Sequence, residues 1–204
     1  MWIKICGMTT EAGVAAALEA QVDAIGFVFA DSVRRITPEA AAKLAAAARG
    51  RVCCVAVARH PAQSLLDEVV EVFGPDVLQT DMEDFATLRL PVTLARLPVV
   101  RAGREEGVRL PARLLFEGPA SGSGVPADWE RAAALARRTE LVLAGGLSPG
   151  NVAAALSRVR PFGVDVSSGV EVSPGIKSPD AIAQFVAAVR AAGAPAAHSR
   201  EGCV

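Results

Sequence analysis

Short apolar segments alternate with longer, alanine-rich amphipathic segments along most of the chain. The short segments are rich in Val, Ile and Leu on both faces, which is typical of buried parallel strands. They predict eight strands: Trp2–Cys6, Ala24–Phe29, Val52–Val57, Val77–Gln79, Val92–Ala95, Arg113–Phe116, Leu141–Ala144 and Gly163–Val166. The segments between them predict helices at Thr10–Ala20, Pro38–Ala48, Pro61–Phe73, Ala127–Arg137, Pro149–Arg158 and Pro179–Ala192. This repeated alternation predicts a parallel sheet covered by helices.

Eight strands joined by right-handed crossovers can close into a (β/α)8 barrel, or they can form an open doubly wound sheet. The first strand is not followed by Gly-x-Gly-x-x-Gly, which disfavours a dinucleotide-binding open sheet. The 204 residues allow a barrel with about 25 residues per strand–helix unit. We therefore predict an α/β fold, a single (β/α)8 TIM barrel over residues 1–192, and a flexible C-terminal tail at 193–204.

So short a barrel must save length somewhere, and residues 89–112 are the predicted place. They mix Arg, Pro and Gly, and no clean helical pattern separates the fifth and sixth predicted strands. We expect helix five to be short or missing.

Composition and charge exclude several classes of binding partner. A formal net charge of −1 and an aromatic content of 4% disfavour a nucleic-acid partner. There is no run of about 18 apolar residues, so no membrane span is expected. Four cysteines without a Cys-x-x-Cys spacing, and only two histidines, disfavour a zinc site. The mixed sequence of the first eight residues does not resemble a signal peptide, which predicts a cytoplasmic protein with reduced thiols.

The first two strands of a barrel would each present candidate chemistry, because the active site of this fold lies at the carboxyl ends of the strands. Cys6 ends the first strand and is followed by Gly7, so it is a candidate base or nucleophile. The alternative is a small buried apolar residue. Arg34 and Arg35 follow the second strand and could hold a carboxylate with two parallel hydrogen bonds. The alternative is solvated loop charge.

Strands six to eight end in further candidates. Glu117 leaves a buried strand for a Gly/Ser-rich loop, where burial could make it a general acid. The alternative is an ordinary charged loop residue. Small-residue turns follow strands seven and eight, at Ala144–Ser148 and Ser167–Gly169. These two loops often form the phosphate site of such barrels through backbone N–H groups, and the alternative is two tight turns without a ligand.

Taken together, these motifs resemble those of the phosphoribosylanthranilate isomerase family, (β/α)8 enzymes of tryptophan biosynthesis. The resemblance runs in order over about residues 2–192. It rests on Lys4–Thr9, Asp23–Phe29, Ser32–Pro38, Gly122–Trp129, Leu143–Leu147 and Val164–Glu171.

The resemblance implies a cofactor-free and metal-free Amadori rearrangement of N-(5-phosphoribosyl)anthranilate to 1-(2-carboxyphenylamino)-1-deoxyribulose 5-phosphate. It implies that Cys6 is the general base, that Arg34 binds the anthranilate, and that Asp165 faces the substrate. It also implies a small-molecule substrate rather than nucleic acid or membrane, and a monomer or homodimer. The implied phosphate-binding residues are Gly145, Gly146, Ser167, Ser168 and Gly169.

The sequence departs from the family pattern at four places. Glu117 stands where the family has its general acid, an Asp, so the acid is kept on a longer side chain. The family's Gln-Leu-His-Gly is Gln79–Met82 here, and its usual Phe after strand three is replaced in Ala58–Arg59. Arg35 replaces an aromatic or small residue. One alternative is therefore a phosphosugar-binding barrel with lost or altered isomerase activity. The other alternative is a non-catalytic interaction protein. The presence of Cys6, Arg34 and both phosphate turns disfavours this second alternative.

Overall fold

Eight parallel strands form a closed barrel in the computed structural model of the protein, which describes residues 1–103, 110–118 and 128–193. Each strand pairs with the next along the chain, and the eighth pairs with the first. This last pairing confirms the barrel and shows that the open-sheet alternative is wrong. The strands are β1 (Trp2–Cys6), β2 (Ala24–Val28), β3 (Cys53–Val57), β4 (Val77–Asp81), β5 (Ala95–Arg101), β6 (Arg113–Glu117), β7 (Glu140–Leu143) and β8 (Gly163–Val166).

Helices cover the outside of the barrel. They are α1 (Glu11–Glu19), α2 (Pro38–Ala45), α3 (Gln63–Glu68), α4 (Trp129–Ala136), α5 (Val152–Val159) and α6 (Pro179–Ala192). Four of them begin at a side-chain oxygen that accepts a backbone N–H of the first turn, at Thr10, Thr37, Asp128 and Ser178. The helix predicted over Pro61–Phe73 is α3 followed by a π-helical turn at Val69–Phe73. A short 3₁₀ segment, Met82–Ala86, follows β4.

Both faces of the sheet are buried, which explains the continuous apolar runs of the strands. Val55, Leu115 and neighbouring residues fill the barrel interior. Phe27 and Phe73 belong to the outer core between strands and helices, where their rings meet edge to face at 5.1 Å. Interior side chains that approach the carboxyl ends of the strands are therefore placed to line a site at that end.

The fifth strand lies later in the chain than the apolar pattern predicted. The predicted strand Val92–Ala95 is wrong, because Val92 is exposed and β5 begins only at Ala95. Arg96 and Pro98 interrupt the apolar run of β5, so the pattern did not identify it. Pro98 has no backbone N–H to donate to a neighbouring strand. It does not interrupt the pairing of β5 with β6, because that pairing starts only at Val99. The other seven predicted strands agree with the structure to within two residues.

The predicted short or missing helix five falls largely on residues 104–109, which lie outside the described residues. Residues 102–103 and 110–112 contain no helix. The Gly122–Gly124 part of the resemblance and residues 194–204 of the predicted tail also lie outside the described residues. Within the described part of the chain, no helix is both long enough and apolar enough to span a bilayer.

A short antiparallel hairpin follows β8. It begins after a 3₁₀ turn at Ser168–Val170 and consists of β9 (Glu171–Ser173) and β10 (Ile176–Lys177). Because this hairpin connects β8 to α6, it brings the side chains of Glu171 and Lys177 to the carboxyl end of the barrel.

Candidate active site

The predicted site residues gather at the carboxyl end of the barrel, from two sides. Cys6 ends β1, and Asp165 lies in the neighbouring strand β8. Arg34 lies in the loop after β2, where its side chain is next to Gly7 and Ser167. Glu117 ends β6, which lies across the barrel from β2 in the strand order. The Cys6 thiol and the Glu117 carboxylate therefore lie on different sides of the opening at the carboxyl end of the barrel.

Cys6 lies beside a buried ion pair. The Lys4 ammonium donates to Asp165 Oδ1 at 2.8 Å, and the Cys6 sulfur lies near the same ammonium. Burial favours the neutral amine, but the attraction of Asp165 and then of Cys6 outweighs it, so the pKa of Lys4 is raised. Burial raises the pKa of the Cys6 thiol, against the opposing effect of Lys4. Cys6 is therefore buried, as the apolar alternative supposed, but its immediate neighbours are charged.

Gly26 makes room for this arrangement. A Cβ atom there would lie 3.0 Å from the Cys6 sulfur and 3.2 Å from the Lys4 nitrogen. Neither Gly26 nor Lys4 was singled out from the sequence as a site residue. Side-chain alternation along β1 gave a signal for Lys4, because residues two apart on a strand face the same side.

Arg34 makes the predicted two-pronged contact with a carboxylate, but the carboxylate belongs to the protein. Its Nε and Nη2 donate to the two oxygens of Glu171 at 2.7 and 2.8 Å. Lys177 donates to the same carboxylate at 2.7 Å and to the Ser167 carbonyl at 3.0 Å. Burial opposes ionisation of Glu171, but the hydrogen bonds from Arg34 and Lys177 outweigh it and hold its pKa below the ordinary value. Arg35 is exposed and is not part of this cluster.

Neither Glu171 nor Lys177 was singled out from the sequence as a partner of Arg34. They are 137 and 143 positions away from it, so only the folded hairpin brings them together. A single carboxylate held by two buried cations fixes the direction of the guanidinium.

Glu117 belongs to a second chain of charges. Arg101 Nη2 lies 3.0 Å from Glu117 Oε1, and Arg101 Nη1 donates to Asp81 at the end of β4. Glu117 is partly buried, as predicted for an acid at a strand end. The structure adds a cation, Arg101, that was not predicted beside this carboxyl group. Asp81 occupies the position of the His in the Gln-Leu-His-Gly motif. Arg101 therefore contacts both residues, Asp81 and Glu117, at which the sequence departs from that pattern.

His60, Asp81 and Asp84 are the one group among the described residues with the spacing of a metal site, with ligand atoms within 4.8 Å of one another. Arg101 pairs with Asp81, and Arg59 lies 3.9 Å from it. His60 Nδ1 lies 2.8 Å from Asp84. His60 and Thr80 donate to the Asp84 oxygens, whereas Asp81 Oδ2 accepts no hydrogen bond in the described part of the chain. Because two arginines already lie beside the Asp81 carboxylate, we assign no metal to the group.

The two predicted phosphate turns lie against each other. Gly145 and Gly146 have φ of 94° and 63°, a backbone conformation that favours glycine. Asn151 holds their turn by donating to the Gly146 carbonyl and accepting from the Ser148 N–H, each at 2.8 Å. A Cβ on Gly169 would lie only 1.9 Å from the Leu147 carbonyl oxygen.

Ser167 ties the second turn to β1, because its hydroxyl donates to the Cys6 carbonyl at 3.0 Å. Ser168 begins the 3₁₀ turn that contains Gly169. The predicted phosphate residues therefore surround one corner of the opening, beside Cys6. Asn151, which holds this corner in place, was missed, although Asn before a helix is a recognisable signal.

A family model described as N-(5'phosphoribosyl)anthranilate (PRA) isomerase matches residues 3–188. The chain belongs to this family. It is 40% identical, over 210 residues, to N-(5'-phosphoribosyl)anthranilate isomerase of Chelativorans sp. (strain BNC1), an alignment that covers 93% of this chain and 96% of the relative. The expectation drawn from the sequence motifs is thus confirmed.

Solved structures agree with this assignment. TrpF from Jonesia denitrificans has a TM-score of 0.78 and 34% identity, covering 94% of this chain and 98% of that one. A phosphoribosyl anthranilate isomerase in complex with reduced 1-(o-carboxyphenylamino)-1-deoxyribulose 5-phosphate has a TM-score of 0.77 and 27% identity, covering 94% and 99%.

Proposed function

We propose that this chain isomerises N-(5'-phosphoribosyl)anthranilate to 1-(2-carboxyphenylamino)-1-deoxyribulose 5-phosphate, a step of tryptophan biosynthesis. The observation that carries the proposal is the placement of Cys6 and Glu117 on opposite sides of one opening in a chain of this family. An aldose–ketose isomerisation needs an acid at one end of the reacting atoms and a base at the other.

Glu117 acts first, as the general acid. Its carboxylic acid gives a proton to the ribose ring oxygen, the C1–O bond breaks, and the nitrogen lone pair forms the C1=N bond of a protonated Schiff base. The acid must be protonated for this step, and Arg101 Nη2 lies 3.0 Å from its Oε1.

Cys6 acts second, as the general base. Its thiolate takes the proton from C2, the C2–H electrons form the C1=C2 bond, and the C1=N π electrons return to nitrogen, which gives an enolamine. The enolamine becomes the ketone when the Cys6 thiol gives its proton to C1 and the C2 hydroxyl proton returns to the Glu117 carboxylate. The thiolate and the carboxylic acid are thereby restored, so the cycle needs no cofactor.

Arg34 and the two turns orient the substrate. Glu171 occupies Nε and Nη2 of Arg34, so the anthranilate carboxylate is expected at Nη1. The phosphate binds to the backbone of Gly145, Gly146, Ser167, Ser168 and Gly169. Asp165 faces the substrate. It also holds Lys4, which lies next to the base Cys6.

We infer a cytoplasmic enzyme that acts on this small molecule as a monomer or a homodimer. Size-exclusion chromatography with light scattering distinguishes a mass of 21.0 kDa from twice that value. A larger assembly would contradict the inference.

The substrate fluoresces, so its loss measures turnover directly. The purified chain is expected to consume it, and mass spectrometry should find a product of unchanged mass. The second candidate function is a phosphosugar-binding barrel without isomerase activity, which the Arg101–Glu117 pair favours. That candidate predicts that the substrate binds in calorimetry while its fluorescence persists, even at equal concentrations of protein and substrate. Such a result would contradict the isomerase proposal.

A further inference from the structure

We propose that Lys4 is a positioning residue for the base: held by Asp165, its ammonium stabilises the Cys6 thiolate that takes the C2 proton. The inference rests on the proposed isomerase function. It assigns a role to a residue that touches the base rather than the substrate.

The placement of Lys4 on β1 supports this role. Lys4 and Cys6 lie two residues apart on β1, so both side chains enter the barrel interior. Lys4 is fully buried and its nitrogen donates to Asp165 Oδ1 at 2.8 Å. The same nitrogen and the Cys6 sulfur both lie against Gly26, within 3.2 Å of where its Cβ would be. Its charged end therefore connects the base to a carboxylate on the adjacent strand.

A buried charge at position 4 is unfavourable for stability. Burying an ammonium and a carboxylate costs several kcal/mol per ion, and well-packed apolar residues of similar size are often as stable or more so. The rest of the barrel interior is filled by residues such as Val55, Leu97 and Leu115. A Met at position 4 would suit such a core, so stability does not explain the charge there.

Charges of both signs surround the Cys6 sulfur. Asp165 on β8 disfavours the thiolate, whereas Lys4 on β1 and Lys177 on β10 favour it. Arg34, in the loop after β2, adds a further positive charge whose interaction with Cys6 is attractive. Burial works against a thiolate, and the neighbouring Lys4 ammonium is the largest of the charges that offset it.

The proton balance is consistent with this role. When the thiolate takes the C2 proton, an S–H bond forms and the C2–H bond breaks. Lys4 remains an ammonium and Asp165 remains a carboxylate throughout. Lys4 loses a neighbouring anion as the sulfur is protonated, and regains it when the thiolate is restored.

The test measures the thiolate itself, by its absorbance near 240 nm as a function of pH, with Cys6→Ser as the blank. Lys4→Met is expected to raise the midpoint by about one pH unit or more and to lower kcat/KM at neutral pH by about tenfold. The loss should shrink at higher pH, because the thiolate fraction recovers. Lys43→Met, on the exposed face of α2, is the matched control and should leave the midpoint unchanged.

A second pair of variants removes the ambiguity of an unpaired buried Asp165. Asp165→Asn is expected to lower the Cys6 midpoint, because the ammonium then has the sulfur as its remaining anionic partner. Adding Lys4→Met to Asp165→Asn should raise the midpoint again, although no buried carboxylate is left unpaired. A purely structural role predicts that the double variant recovers both stability and the wild-type midpoint.

An unchanged midpoint when Lys4→Met is made in the Asp165→Asn background would overturn the proposal. This outcome is distinct from failure of the isomerase function, because the titration needs no substrate. If the wild type consumes the substrate but the Lys4→Met substitution leaves the Cys6 midpoint unchanged, the role of Lys4 is refuted and the isomerase proposal stands. A shifted midpoint without any wild-type turnover would refute the isomerase and, with it, the role of Lys4 in the reaction.

Discussion

Gly169→Ala is expected to separate the two phosphate turns. The added Cβ would lie 1.9 Å from the Leu147 carbonyl oxygen, whereas real Cβ contacts stay above 3.0 Å. The obstructing atom belongs to the backbone and cannot rotate away. The turns must therefore move apart by at least about 1.1 Å.

The expected cost follows from hydrogen-bond geometry. Backbone donors contact a phosphate oxygen at about 2.9 Å, so a shift of about 1 Å breaks the bond on one side. Each hydrogen bond to a charged group contributes about 1.5–3 kcal/mol. The loss of one corresponds to a roughly 10- to 150-fold fall in kcat/KM, mostly through KM.

The assay follows substrate fluorescence across a range of concentrations, with inorganic phosphate as a competing ligand. Gly169→Ala should show a higher KM and weaker inhibition by phosphate. Gly150→Ala is the matched control in the same region, because the nearest atom to its new Cβ is the Ser148 hydroxyl at 3.9 Å. If Gly169→Ala kept the wild-type KM, phosphate inhibition and melting temperature, the proposed contact between the two turns would be wrong.

Three further predictions concern the charged groups. Glu117→Gln should remove nearly all turnover while calorimetry still detects substrate binding, and an unchanged kcat would show that Glu117 is not the acid. Glu117→Asp should lower kcat by roughly a hundredfold, because the shorter side chain withdraws from Arg101 and the substrate by about 1 Å; a gain would instead mean that Glu117 is imperfectly placed. Glu171→Gln leaves Arg34 and Lys177 without their counter-charge and should destabilise the fold by about 3 kcal/mol at pH 7. Because the folded pKa of Glu171 is lowered, this difference should be complete above its ordinary value of 4.5 and shrink as pH falls through the folded value. Urea unfolding at pH 7 and pH 3 measures it, and equal differences at both would contradict the ion pair.

Much of the fold and part of the site could be predicted because both depend on local pattern. Buried parallel strands appear as continuous apolar runs, and their carboxyl ends must converge once the barrel closes. That rule alone places Cys6, Glu117 and the glycine turns at one end. The pattern failed for β5, where Arg96 and Pro98 obscured the strand.

The partners of the site residues could not be predicted in the same way. Lys4 meets Asp165 only through the pairing of β1 with β8, which closes the barrel. Arg101 reaches Glu117 from a strand that the apolar pattern misplaced. Such contacts depend on register and closure, which local sequence patterns do not specify.

The most direct test of the account compares the wild type with Cys6→Ser in one fluorescence time course. We expect the wild type to consume N-(5'-phosphoribosyl)anthranilate completely, and we expect Cys6→Ser to bind it with little change in fluorescence over the same period. Serine keeps the size of the side chain, but its hydroxyl is a far weaker acid, so no comparable base is available. Equal rates for the two proteins, or no loss of substrate with the wild type, would contradict the central claim.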